Sequence, residues 1–188
     1  VRILMLDRSD CSRIRRMSDT EPAALRLFLA LWPPREVHAA LRAHAQQWAW
    51  TAQARRTLPE RLHVTIHFLG NVPAARLAEL RSGLQVNWHG EELVLDAAHV
   101  WAGGIAALEA SRVPPGLAAL HAALADRLRS LELPVDARPW RPHVTLARKA
   151  AGAQAPEFEP LRWPAMHGYA LVRSVGGGGG YTTLQSFA

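Results

Sequence analysis

Two short stretches of the chain carry the residue types that proton transfer requires. Arg61-Leu-His63-Val-Thr65-Ile-His67-Phe-Leu-Gly70 and Arg141-Pro-His143-Val-Thr145-Leu-Ala-Arg148 share the core His-Val-Thr plus an aliphatic residue, eighty positions apart. Imidazole has an unperturbed pKa near neutrality, so one ring of a pair can accept a proton while the other donates one. Opening a cyclic phosphate needs both acts. A water is deprotonated as it attacks phosphorus, and a ribose oxygen is protonated as it leaves. A hydroxyl two residues along on the same face can hydrogen-bond the non-bridging oxygens, where charge concentrates.

Extended backbone gives the spacing its meaning. A side-chain period of two puts His63 and Thr65 on one face and Val64, Ile66 and Phe68 on the other, with His143 and Thr145 set likewise against Val144 and Leu146. Each motif therefore predicts a strand with one apolar face for a core and one His/Thr face for a cleft. The same alternation places His67 beside His63, as a cleft-lining or rim residue. His-x-x-x-His is a metal spacing on a helix. On a strand four residues span about 13 Å, too far to share an ion, so no metal is expected. Strict alternation turns Arg148 away from the cleft, which it reaches only if the strand ends or bulges at Ala147. Trp101 and Trp140 could stack a base or be buried. The remaining histidines (38, 44, 89, 99, 121 and 167) read as surface or locally satisfied groups.

The elements that position these motifs follow from pattern. Leu25–Leu31 is a strand-length apolar run ended by Trp32-Pro33-Pro34. Val37, Leu41, Ala45 and Trp48 fall at helical intervals over 36–50, and 51–60 reads as a loop. A second helix follows Pro73, with Leu77, Leu80 and Leu84 as its stripe. Short strands are expected at 93–95, 98–101 and 105–108. A third helix opens at Pro114-Pro115 and buries Leu117, Leu120, Leu124, Leu128 and Leu131. Strands are expected at 168–174 and 181–187, joined through Gly176–Gly180 as a mobile hairpin connection. That glycine run lacks the Lys and Ser/Thr of a phosphate-binding loop. The order and the repeated motif predict an α+β fold of two similar antiparallel halves, helices outside, around a central cleft.

Composition narrows the class. The 188 residues are 49% hydrophobic and 20% charged, an ordinary globular balance, and no apolar run is long enough to span a bilayer. A single cysteine, Cys11, leaves no internal disulfide framework and fits a cytoplasmic protein. Half of the net charge of +6 lies in residues 1–16, where five arginines face Asp7 and Asp10. The rest is too mildly basic for a dedicated nucleic-acid binder. Met17 reads as a start site, which makes 1–17 a disordered extension and 18–188 a single bilobal domain.

His63-x-Thr65-x-x-Phe68-Leu-Gly70 and Pro142-His143-x-Thr145-x-x-Arg148 resemble the two signatures of the two-histidine phosphoesterases. Within that superfamily the chain resembles the bacterial RNA 2′,3′-cyclic phosphodiesterases, also called 2′-5′ RNA ligases. Arg26–Pro34 and Tyr181-Thr-Thr-Leu are similar to that family's opening and closing strands. The resemblance spans about residues 25–187. It implies a bilobal α+β body with His63 and His143 as the catalytic pair. Thr65, Thr145 and Arg148 would be phosphate contacts, with no metal or nucleotide cofactor. The implied partners are RNA ends or nucleotides bearing a 2′,3′-cyclic phosphate, without a membrane or an obligate protein partner. On the polarity that leaves a 2′-phosphate, His143 is taken as the base and His63 as the acid, an order the pseudo-symmetry leaves open. His67 departs from the small or aliphatic residue usual there. Two alternatives remain: the reverse joining of a cyclic end to a 5′-hydroxyl, and a non-catalytic RNA-end or nucleotide-binding module.

Overall fold

The computed structural model describes residues 23–164, 168–176 and 179–188. The extension expected over 1–17, His167 and part of the 176–180 connection lie outside them. In chain order the elements are β1 (Ala24–Leu31), α1 (Arg35–Gln47), β2 (Arg55–Arg56), β3 (Val64–Pro73), α2 (Leu77–Gly83), β4 (Leu93–Leu95), β5 (Ala97–Trp101), β6 (Ile105–Glu109), α3 (Pro115–Ser130), β7 (His143–Arg148), β8 (Leu161–Trp163), β9 (Tyr169–Val175) and β10 (Gly180–Phe187). Among the described residues, no helix is long and apolar enough to cross a membrane.

The main sheet runs β10-β9-β1-β3-β7-β6-β5, with β2 added against β7, and every pairing in it is antiparallel. It is two half-sheets that touch through one residue pair, Val64 opposite Val144. These are the central residues of the two His-Val-Thr cores. The pseudo-twofold axis therefore passes between the motifs, and antiparallel registration sets each histidine toward the other motif's threonine.

Alternation sorts the two faces. Leu25, Leu27, Leu29 and Leu31 of β1 enter the main core with Val64 and Val144, while Phe28 and Ala30 join Ala170 and Val172 in a small cluster on the cleft face. α3 packs on β3 and buries Leu117, Leu120, Leu124 and Leu128. Each such leucine contributes about 1.5–3 kcal/mol by leaving water. The Glu91 carboxylate accepts from the amides of Gly116 (2.7 Å) and Leu117 (3.2 Å), satisfying donors that a helix start leaves open.

Three features depart from the expected elements. Residues 51–60 contain β2, whose two residues are too few for any pattern. β4 leaves the main sheet to pair with β8, a strand equally short, in a separate two-stranded sheet. α1 ends at Gln47, and Trp48 completes its apolar stripe from the extended residue beyond, buried with its indole N–H on His44 Nε2 at 3.0 Å.

Candidate active site

A β-bulge occurs at the same position of both motifs. Thr65 pairs with Ala30 and His67 with Leu29, so Ile66 is left over; Thr145 pairs with Ala107 and Ala147 with Ala106, so Leu146 is left over. Each extra residue advances the strand by half a pleat, and the side chains beyond exchange faces. Arg148 is thereby brought to the cleft, by a bulge one residue earlier than the position alternation suggested. Phe68, its counterpart in the first motif, also reaches the cleft.

The same bulge moves His67 off the cleft face, against the expectation that it lines the cleft or its rim. It is 4% exposed, its Nε2 donates to the carbonyl of His121 at 2.9 Å, and its ring stacks on that of His121 at 4.1 Å. The stack continues to Trp140 at 4.6 Å, whose indole N–H donates to the Thr65 carbonyl at 3.0 Å. Trp140 thus braces the first motif from behind and is not a base platform. Trp101 meets the His143 ring at 4.5 Å. The exposed aromatic rings lining the cleft are Phe68 and Tyr181.

His63, Thr65, His143, Thr145 and Arg148 all line one cavity of about 410 Å³. His63 Nδ1 lies 2.7 Å from the carbonyl of Arg61, and His143 Nδ1 lies 2.6 Å from that of Arg141. A carbonyl only accepts, so each Nδ1 carries a proton and each Nε2 is the variable site. Thr65 Oγ1 is 3.1 Å from His63 Nε2. The recurring Arg two residues before each His was a signal for this brace, although it is the arginine's carbonyl that serves.

The surroundings of the two rings differ. Phe28, Trp32 and Tyr181 surround the His63 ring, at centroid separations of 5.1, 5.2 and 5.2 Å. Burial pushes the His63 pKa below 6.5; the Arg61 carbonyl opposes this, and charge on His143 adds to it. Burial also lowers His143, opposed by the Arg141 carbonyl and then the Glu109 carboxylate, while Arg141 and Arg148 add to the lowering. Glu109 pairs with His143 across β6 and β7, is buried, and is held by Arg141 Nε and Nη2 at 2.5 and 2.6 Å. Sequence reasoning missed Glu109, because a lone acid at a strand end carries no pattern.

Arg26, Arg61 and Arg148 line the cavity, and no Asp or Glu does so among the described residues. Guanidinium groups in a partly enclosed, acid-free cleft favour an anion and suit phosphate oxygens. No three His, Cys, Asp or Glu side chains converge as metal ligands among the described residues.

Two tautomer-fixed imidazoles and two threonines, delivered by pseudo-symmetric strands to one basic cleft, define a two-histidine phosphoesterase. Residues 33–169 match the family model described as the 2'-5' RNA ligase superfamily. The chain belongs to this superfamily. It is 32% identical over 184 residues to an RNA 2',3'-cyclic phosphodiesterase of Thermus thermophilus, covering 87% of this chain and 90% of that one. Among solved structures, E. coli LigT complexed with 3'-AMP superposes with a TM-score of 0.76 at 26% identity, over 88% of this chain and 98% of LigT. The Thermus thermophilus protein TT0787 gives a TM-score of 0.71 at 28% identity, over 87% of this chain and 97% of that one.

Proposed function

We propose that the chain hydrolyses 2′,3′-cyclic phosphates at RNA ends, leaving a 2′-phosphomonoester, with His63 and His143 as its acid–base pair. The observation that carries this is the two imidazoles of fixed tautomer facing one arginine-lined cavity. The Thermus relative, itself named an RNA 2',3'-cyclic phosphodiesterase, supports it. Water attacks phosphorus and gives its proton to the Nε2 of the neutral ring. The bond from phosphorus to the 3′ oxygen breaks, and that oxygen takes the Nε2 proton of the charged ring. Thr65, Thr145 and Arg148 hold the non-bridging oxygens as negative charge builds on them.

Glu109 breaks the symmetry of the roles. Its carboxylate favours a charged His143, and charge on His143 disfavours charge on His63. In this reading His143, whose charged form Glu109 favours, serves as the acid and His63 as the base. This reverses the order implied by the resemblance. We further place the enzyme in the cytoplasm, acting without a membrane or an obligate protein partner, in keeping with its single cysteine and its bacterial relatives.

The test is phosphorus NMR of 2′,3′-cyclic AMP and of a short RNA ending in a cyclic phosphate, each incubated with the protein in excess chelator. A 2′-phosphomonoester is expected from both. A 3′-phosphomonoester, or a cyclic signal unchanged by folded protein, contradicts the proposal.

A further inference from the structure

Next to the catalytic cleft lies a second cavity, also of about 410 Å³. The buried Leu62 and Leu146 give it an apolar lining, and Arg42, Gln46 and Arg56 stand around it. Thr57 lines both cavities, and its amide is fixed to the Leu146 carbonyl at 2.7 Å. The wall between them is therefore one segment of chain.

Arginines stand on both sides of this wall. β2 pairs with β7 so that Arg55 lies opposite Arg148 and Arg56 opposite Ala147. Arg148 lines the first cavity, and Arg56 and Arg42 of α1 line the second. Arg42, Arg55 and Arg56 are exposed, and none has a carboxylate within ion-pair distance among the described residues. Leu58 is 48% exposed, a large apolar side chain left in water at the mouth.

We propose that the second cavity binds the nucleotide preceding the cyclic end of a single-stranded RNA, its base against the leucine lining and its phosphates on Arg42 and Arg56. This rests on the reading of the first cavity as the site of the cyclic phosphate. An RNA held there by its terminus must leave the cleft, and the arginines on both sides of Thr57 offer an exit matched to its charge. Single strands are held by apolar contact with unstacked bases, by guanidinium planes and by phosphate contacts. Gln46 supplies a donor and an acceptor for a base edge.

The experiment compares kcat/KM on a 2′,3′-cyclic mononucleotide and on a cyclic-ended hexanucleotide, for the wild type, Arg42→Ala/Arg56→Ala and Arg42→Glu/Arg56→Glu. The wild type should prefer the hexanucleotide about tenfold or more. The alanine pair should abolish that preference, and the glutamate pair should reverse it. Both variants should keep the mononucleotide rate within about twofold, which also shows that they are folded. The slope of log affinity for the longer RNA against log salt should shrink by about 0.7 per lost phosphate contact. Turnover of the mononucleotide with no wild-type preference for the longer RNA overturns this inference, leaves the hydrolase reading standing and turns attention to a protein occupant. Equal losses on both substrates in the variants overturn it as well. Absence of turnover on both substrates by the wild type overturns the hydrolase reading and this inference with it.

Discussion

Replacing His121 by Phe separates the titration of the buried imidazole stack from its packing. His121 lies between His67 and Trp140, and burial, followed by the charge of His67, lowers its pKa to about 4. The unfolded chain titrates near 6.5, so between 6.5 and about 4 it binds the proton that the folded chain refuses. Stability is complete above 6.5 and falls as the pH drops through that window. One pKa unit is worth about 1.4 kcal/mol, so the two units between 6.5 and an assay pH of 4.5 set a ceiling of about 2.8 kcal/mol. The ring is partly open to solvent and shares its titration with His67, so about half of that, ~1.5 kcal/mol, is expected. Phenylalanine keeps the ring contacts and the backbone carbonyl that His67 uses. Urea unfolding at pH 7 and pH 4.5 should show the wild type losing about 1.5 kcal/mol more than His121→Phe. Equal losses would refute a neutral His121 in the folded state.

The remaining predictions concern the cleft. The profile of kcat/KM against pH should be a bell with its maximum on the acid side of 6.5, because burial lowers both histidines. Glu109→Gln should move its alkaline limb to lower pH, since the charged His143 loses a carboxylate; movement of the acid limb instead would make His143 the base. Arg148→Ala should lower kcat/KM by about 10²-fold in steady-state assays, the scale of one lost transition-state contact, and a change under threefold would remove it from the site. His67→Ala should cost about 1–3 kcal/mol by leaving the His121 carbonyl without its donor, measured by urea unfolding, with kcat held within a few-fold. A loss of kcat comparable to that of a catalytic histidine would place His67 in the chemistry.

Much of this site was legible because its two halves repeat. Alternation in His-Val-Thr separates a polar face from Val64 and Val144, and the leucines of β1 separate core from cleft in the same way. Alternation failed where the ladder slips. The extra residues Ile66 and Leu146 have the same aliphatic character as paired strand residues, so nothing in their types announces a bulge. That one device explains why His67 was expected in the cleft and lies behind it, and why Phe68 was expected in the core and lines the cleft. It also supplies the irregularity that Arg148 required. β2 escaped notice because two residues carry no period, and β8 because Leu161-Arg-Trp163 lies between Pro160 and Pro164, without the aliphatic run that marks β4. Glu109 and Arg26 became visible only when strand pairing brought distant segments together, whereas Arg61 stood beside His63 without a pattern to show that it lines the cavity.

The most direct test of the central claim is a comparison of kcat for His63→Ala, His143→Ala and the double variant on 2′,3′-cyclic AMP. An acid and a base that act in one displacement fail together, so each single variant should lose about 10²–10⁴-fold and the double little more. A single variant with the wild-type rate, or a double whose loss is the product of the two single losses, would contradict a shared catalytic act by these two histidines.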